Sequence, residues 1–321
     1  MIAAFRENYC QPAELRVKKI PRPEPADTEI LVQVKSCTVN RTDCAVLTAQ
    51  PAIMRLFLGL FKPRRPVTGT DFAGIVVDHG ASVTNFKPGD SVWGFHDEGL
   101  SSHAQYLVMD ASGSVASMPE NVSFERAAAG LEAAHYAHNF ISRVMLEAGD
   151  RVMVNGATGA IGSALVQFLV AKSVRVTAVA NTHNMDRIRA LGVEHLYDYL
   201  KEDFTTDTGQ YKVVFDAVGK STFGACKHLL QTDGIYISSE LGPWLQNPLL
   251  ALATAWTSGR KVIFPLPSDV PASLHSVGAL LSSGEFNPLI DRTYPLEDIA
   301  DAFTYVASGE KTGNVMLSFP D

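Results

Sequence analysis

Three glycines, at positions 156, 159 and 162, punctuate the run Asn155-Gly-Ala-Thr-Gly-Ala-Ile-Gly162. The run follows a short apolar segment, Arg151–Asn155, and leads into helix-forming residues from Ala160 to Ala171. Set between a strand and a helix, such a triplet has the context that dinucleotide binding requires. Glycine lets the backbone turn sharply and approach a pyrophosphate. The helix N-terminus then offers free N–H groups and the positive end of its dipole to the anion. The third glycine permits close helix–strand packing. Gly156, Ala157, Thr158, Gly159, Ala160 and Ile161 are therefore expected to contact a cofactor. The competing reading is a tight strand-to-helix turn with no ligand.

The end of the next strand selects the nicotinamide. A site for NAD usually carries Asp or Glu there, on the ribose hydroxyls. Here the strand runs into Ala180-Asn181-Thr182-His183-Asn184, and the first acid after it is Asp186, inside the following helix. Asn181, Thr182 and His183 can donate hydrogen bonds to a 2′-phosphate, so the cofactor is expected to be NADP(H).

The surrounding elements must position this turn. Residues before 123 read as β-rich: Glu29–Val34 alternates polar and apolar, and Phe72–Val77, Ser91–Phe95 and Ala104–Val108 are short strands. Pro88-Gly89 marks a turn. After Ser123 the pattern changes. A helix is expected over Phe124–Leu146, then strand Arg151–Asn155, helix Ala160–Ala171, strand Val174–Ala180, helix Met185–Leu191, strand Val213–Ala217, helix Phe223–Leu230, strand Ile235–Ser238 and strand Lys261–Leu266. This alternation predicts a parallel, doubly wound sheet. A helix at Ser273–Leu281, an amphipathic helix at Leu296–Ser308 and a strand at Val315–Phe319 are expected to return to the first domain. The division is thus 1–122 and 269–321 for one domain and 123–268 for the other.

The chain has 321 residues, 46% of them hydrophobic, with 19% charged and a formal net charge of −7. A mildly acidic chain without a basic block argues against nucleic-acid or anionic-membrane partners. Lys62, Arg64 and Arg65 read as a solvated loop. The N-terminal residues lack a signal-peptide layout, which sets the expectation of a cytoplasmic location. Cys10, Cys37, Cys44 and Cys226 show no C-x-x-C spacing and read as small buried hydrophobes.

With these residues placed, the chain resembles the zinc-independent, quinone oxidoreductase-like branch of the medium-chain dehydrogenase/reductases. The markers are Cys37–Asp43, Gly69–Ala73, Phe86–Gly94, Asn155–Gly162, Asp216–Gly219, Leu241–Pro243, Tyr294–Asp298 and Lys311–Val315, in order along nearly the whole chain. The resemblance implies a discontinuous GroES-like β domain beside a Rossmann domain. It also implies what is missing. Where the zinc branch takes its catalytic ligands from a cysteine, a histidine and a cysteine, this chain has Asn40, Thr70 and a position near Ala129. The four-cysteine structural zinc loop is absent as well. Neutral oxygens are poor zinc ligands, so no metal is expected, and His96 and His103 read as surface or core histidines.

Without a Lewis acid, the chemistry that suits the site is hydride delivery to a small hydrophobic quinone or α,β-unsaturated carbonyl whose oxygen is polarised by hydrogen bonds. Asn40 either donates such a bond or forms a turn. Asp43 either relays a proton or caps the following helix. Tyr136 is either a proton donor or core. The resemblance places Arg41 and Thr42 at the nicotinamide ribose or phosphate, and Tyr199 at the adenosine phosphate. Ligands bind at the carboxyl ends of parallel strands, so Ala217, Val218, Leu241 and Gly242 are expected along the nicotinamide half, with Phe264 bordering the same cleft. Lys311 and Asn314 match the family's loop that reaches the cofactor; exposed loop side chains, or for Tyr199 a half-buried strand-end aromatic, are the alternatives. Ala52–Leu60 is either a greasy lid over the substrate or a buried helix. Two other functions stay open: a zinc-type alcohol dehydrogenase, and a non-catalytic NADPH-binding sensor or structural protein. A homodimer through the edge strand at Lys261–Leu266 is expected.

Overall fold

The computed structural model describes residues 1–266 and 268–319; Pro267, Pro320 and Asp321 lie outside the described residues. The chain begins with β1 (Ile2–Phe5), β2 (Arg16–Lys19), β3 (Glu29–Val39), α1 (Arg41–Thr48), α2 (Arg55–Leu58), β4 (Asp71–His79), β5 (Ser91–Phe95), β6 (Tyr106–Asp110) and β7 (Val115–Ser117). It continues through α3 (Phe124–Ala129), α4 (Glu132–Ser142), β8 (Arg151–Asn155), α5 (Ala160–Ala171), β9 (Arg175–Ala180), α6 (Met185–Arg189), β10 (His195–Asp198), β11 (Tyr211–Asp216), α7 (Phe223–Cys226) and β12 (Leu230–Ser238). Then come α8 (Gln246–Thr254), β13 (Lys261–Ile263), α9 (Val270–Ser283), β14 (Ile290–Pro295), α10 (Ile299–Ser308) and β15 (Asn314–Ser318).

Two compact units result. One comprises Met1–Glu132, Val270–Gly284 and Pro288–Asp321, the other Ala133–Asp269 and Glu285–Asn287. In the first, a seven-stranded sheet runs β14-β15-β3-β4-β5-β7, with β6 also paired to β3. The β3 strand is its hub, because it pairs antiparallel with β4, β6 and β15. It extends five residues beyond the Glu29–Val34 segment legible from alternation, since Cys37–Val39 is buried without alternating. Apolar residues of β3, β4 and β5 build the core with Phe303 of α10. Burying such a phenylalanine contributes roughly 2–3 kcal/mol. The α10 helix presents Ile299, Ala302, Phe303 and Val306, one face at 3.6-residue spacing, and ends on Gly309 at φ 78°. The turn at Pro88-Gly89 is present, with Gly89 at φ 97°.

In the second unit six strands pair in the order β10-β9-β8-β11-β12-β13, parallel throughout. Numbered within this unit, that is 3-2-1-4-5-6, the Rossmann order. Its direction of winding reverses between β8 and β11, where ligands bind in such sheets. Here Asn155 pairs with Asp216.

Several expected boundaries move. The single helix over Phe124–Leu146 breaks in two at Gly130, whose N–H closes α3 onto Arg126 and Ala127. A β-carbon there would stand 3.0 Å from Leu281 Cδ1, so the break is also a packing site. The helix over Phe223–Leu230 ends at Cys226 and tightens into a 3₁₀ turn, because Leu230 already enters β12. The strand over Lys261–Leu266 stops at Ile263, just before Pro265, which has no N–H for the ladder.

Among the glycines of the second unit, the least room for a side chain is at the glycine turn: a β-carbon on Gly162 would come within 2.1 Å of the Gly156 carbonyl oxygen. Gly162→Ala is therefore expected to push α5 off β8 and destabilise the unit by about 1–3 kcal/mol, the usual cost of overpacking. Thermal denaturation checks this, and an unchanged melting temperature would contradict it.

Candidate active site

In the second unit, the glycine turn forms because Gly156 adopts φ 86°, a left-handed conformation that glycine takes without strain. A β-carbon on Gly156 would lie 2.7 Å from Val218 Cβ, so the loop after β11 packs directly onto the turn. Gly159 is the N-cap of α5 and supplies no side-chain acceptor, which leaves the first-turn N–H groups for a ligand. Asp216 anchors the adjoining loop. Its carboxylate accepts from Asn155 Nδ2 (3.1 Å), the N–H groups of Val218 (3.3 Å), Gly219 (3.0 Å) and Ser221 (3.3 Å), and the Tyr236 hydroxyl (2.8 Å). Burial raises its pKa, and these donors oppose the rise. The cradle thus has the shape and donors that a pyrophosphate requires.

At the end of β9, Asn181 caps a 3₁₀ turn through its own Oδ1, which accepts from the N–H and Nδ2 of Asn184. The Thr182 hydroxyl donates to Asp198 Oδ2 at 2.5 Å, and Lys201 Nζ lies 3.2 Å from the same oxygen. His183 is exposed. Asp198 escapes a search along the sequence, which meets no acid before Asp186. Parallel pairing of β10 sets Asp198 beside Ala180, and the Tyr199 N–H donates to the Ala180 carbonyl. The Thr182 hydroxyl and the Leu200 N–H hold the Asp198 carboxyl below its ordinary pKa. The expected cofactor residues Ala217, Val218, Leu241, Gly242 and Phe264 all follow the carboxyl ends of parallel strands. Tyr136 sits on α4, half-buried, edge-on to His135.

In the first unit the structure gathers Asn40, Asp43, Thr70 and Asp71 into one buried polar network. Asn40 is the N-cap of α1; its Oδ1 accepts from the Asp43 N–H at 2.8 Å, and Asp43 Oδ2 accepts from the Asn40 N–H at 3.0 Å. This reciprocal capping box makes Asp43 a helix cap. Asn40 Nδ2 donates to Thr70 Oγ1 (2.9 Å) and Thr38 Oγ1 (3.2 Å), with Asp71 Oδ2 at 3.3 Å. The Asn40 amide is thus engaged within the protein at both ends. Thr38 donates both its N–H and its hydroxyl to Asp71.

His103, fully buried, extends the network. Its Nε2 lies 2.8 Å from the Thr38 carbonyl oxygen and its Nδ1 2.8 Å from the Thr68 hydroxyl. Since a carbonyl only accepts, Nε2 carries the proton and Nδ1 accepts from Thr68. Burial pushes the imidazole down to about 4, so it is neutral, and its 3.8 Å approach to Asp43 is not an ion pair. Burial pushes Asp71 up to about 7 and raises Asp43 as well. Glu132, also raised to about 7 by burial, accepts from the Thr42 hydroxyl at 2.9 Å. No sequence signal singles out Glu132. Lys311 Nζ donates to the Gly313 carbonyl at 2.6 Å, and Asn314 clamps the Leu289 carbonyl through both its N–H and Nδ2. Arg41 is exposed. Of Ala52–Leu60, only Leu58 and Gly59 are buried; Ile53, Leu56, Phe57 and Leu60 are exposed, so this segment is not a buried helix. Among the described residues, no group of three or more His, Cys, Asp or Glu side chains is arranged to hold a metal ion.

Comparison with known proteins bears on both units. Residues 26–120 match a family model described as the alcohol dehydrogenase GroES-like domain, and residues 191–317 match one described as zinc-binding dehydrogenase. A 2-methylene-furan-3-one reductase from Solanum lycopersicum is 28% identical over 312 residues, covering 92% of this chain and 73% of its own. An NADPH-dependent alkenal/one oxidoreductase from Arabidopsis thaliana is 28% identical with the same coverages. A quinone-oxidoreductase homolog from Spinacia oleracea is 28% identical over 94% of this chain and 93% of its own. Among solved structures, the quinone oxidoreductase from Coxiella burnetii superposes with a TM-score of 0.85 at 23% identity, covering 99% of both chains. That of Escherichia coli complexed with NADPH superposes at 0.82 and 20% identity, covering 99% of this chain and 100% of its own.

The buried Asp71 generates a signed pH dependence. Its pKa in the fold, about 7, exceeds the 3.8 of an ordinary aspartate. Its contribution to stability is therefore fully present below pH 3.8 and is lost as pH rises toward about 7. Asp71→Asn, which keeps an acceptor for the Thr38 N–H, escapes this loss. The stability of the wild type relative to Asp71→Asn is expected to fall by about 1.4 kcal/mol per unit of effective shift across that window. Urea denaturation of both proteins at mildly acidic and neutral pH measures it; a pH-independent difference would contradict the assignment.

Proposed function

The chain belongs to the medium-chain dehydrogenase/reductase family, and on that premise we propose that it is an NADPH-dependent oxidoreductase that reduces quinones or α,β-unsaturated carbonyls without a catalytic metal. One observation carries the reading: the cradle at Gly156–Gly162, where a side chain on either flanking glycine would collide and where α5 begins uncapped. Among its relatives are an NADPH-dependent alkenal/one oxidoreductase and a quinone-oxidoreductase homolog. NADPH bound in the cradle supplies a hydride.

The protein's own residues bind and orient. Gly156, Ala157, Thr158, Gly159, Ala160 and Ile161 hold the pyrophosphate against the helix N-terminus. His183 and Lys201 offer donors to a 2′-phosphate near the end of β9, while the Thr182 hydroxyl is committed to Asp198 and, with Lys201, masks its charge. Asn40 holds Thr70 and Asp43 in place, so its role is to position the polar network. A spectrophotometric panel tests the activity: NADPH should be consumed with quinones or with 2-alkenals and enones. Tight NADPH binding with no turnover across the panel would instead support a non-catalytic sensor. Zinc-dependent alcohol oxidation alone would support a dehydrogenase.

A homodimer through the edge strand is part of the same reading. The β13 strand ends its sheet, and α8 packs on it while leaving Leu249, Leu252 and Trp256 at 62%, 62% and 85% exposure around its C-terminal end. An apolar face of this kind beside an open strand edge suits a second copy. The four free thiols suit a reducing compartment such as the cytoplasm. Among the described residues, no helix is long and apolar enough to cross a membrane. Light scattering should give twice the 34.7 kDa of one chain; a monomer mass would reject the dimer.

A further inference from the structure

A cavity of about 150 Å³ lies wholly within the first unit, bounded by Arg6, Arg64 and Arg65 on its polar side. Three segments distant in sequence converge there. Phe5 bridges to Val67, and the Arg6 N–H donates to the Pro66 carbonyl at 2.9 Å, so the end of β1 lies against the run that carries Arg64 and Arg65. Arg6 is 5% exposed. Its Nη1 donates to the Val46 carbonyl at 2.6 Å, whereas its Nε is buried with no hydrogen-bond partner among the described residues. Arg65 donates to the Gly99 carbonyl. Glu98 is the one carboxylate in the wall, set against three guanidinium groups.

A buried guanidinium without a saturating partner costs stability unless an anion meets it. This local excess of positive charge stands in a chain whose net charge is −7. Val46, Phe57, Leu58, Pro63 and Val67 add apolar surface to the wall. A cavity of this size takes about one aromatic ring, as an engineered apolar cavity of like volume does. The planar fork of arginine matches a carboxylate with two parallel hydrogen bonds.

We propose that this cavity is a binding site for a small organic carboxylate with a compact apolar body, held by Arg6, Arg64 and Arg65. The site does not depend on the oxidoreductase reading. It adjoins the buried network, since Thr68 and Gly69 in its wall immediately precede Thr70, and Thr68 donates to His103.

Isothermal titration calorimetry on the full chain, with benzoate as the probe, tests it. Benzoate should bind saturably with one site per chain, and the neutral isostere benzamide should bind at least about tenfold more weakly. Arg64→Gln and Arg65→Gln alter exposed residues and should each weaken benzoate about tenfold without lowering the melting temperature. Four results would each overturn the proposal: no benzoate binding at concentrations up to about 10 mM; equal binding of benzamide; inorganic phosphate binding as tightly as benzoate, which marks a bare oxyanion site; or benzoate affinity unchanged in both variants.

Discussion

A charge taken out of water must be surrounded by donors or be neutralised, and Asp216 shows how far this chain goes to satisfy that requirement. Its two buried oxygens accept from an asparagine amide, a tyrosine hydroxyl and three backbone N–H groups. Those donors come from β8, from β12 and from the loop that follows Asp216 itself. The carboxylate therefore ties together the strands on either side of the point where the sheet reverses its winding. It also fixes the backbone of Val218, against which Gly156 packs too closely for a side chain. The glycine turn is thus shaped from below by a hydrogen-bonded acid as much as by its own composition.

The first unit meets the same requirement differently. Asp71 takes both donors of Thr38, Asp43 closes the capping box with Asn40, and His103 stays neutral by using one ring nitrogen as donor and the other as acceptor. Each of these groups has its pKa displaced toward the uncharged form, and burial is the first cause in every case. Asn40 joins the two carboxylates by different donors, its backbone N–H to Asp43 and its side-chain amide to Asp71. At positions 40 and 70 this chain places an amide and a hydroxyl that hydrogen-bond to each other.

How much was legible beforehand depended on the distance over which each feature is encoded. The turn at Asn155–Gly162 was readable because strand, glycines and helix are contiguous. The amphipathic face of α10 was readable for the same reason. Asp198 was not, because its relation to Thr182 exists only through the parallel pairing of β9 and β10. Glu132 was not, because a lone glutamate at the start of a helix reads as a surface residue until Thr42 is placed beside it. Lys62, Arg64 and Arg65 read as a solvated loop and are exposed, but only the fold sets Arg64 and Arg65 beside the buried Arg6.

By itself the sequence determined the alternation of strands and helices, the glycine cradle, and the absence of thiolate or imidazole at the positions of Asn40 and Thr70. All of these follow from residue types and spacings of a few positions, which local backbone geometry translates directly. Only the tertiary structure decided that Asn40 turns its amide inward to Thr70 and Thr38, that His103 is a neutral bridge, and that Asp198 stands next to the end of β9. Burial and cross-strand register set these outcomes. Both depend on which segments pack together, and that is a property of the whole fold.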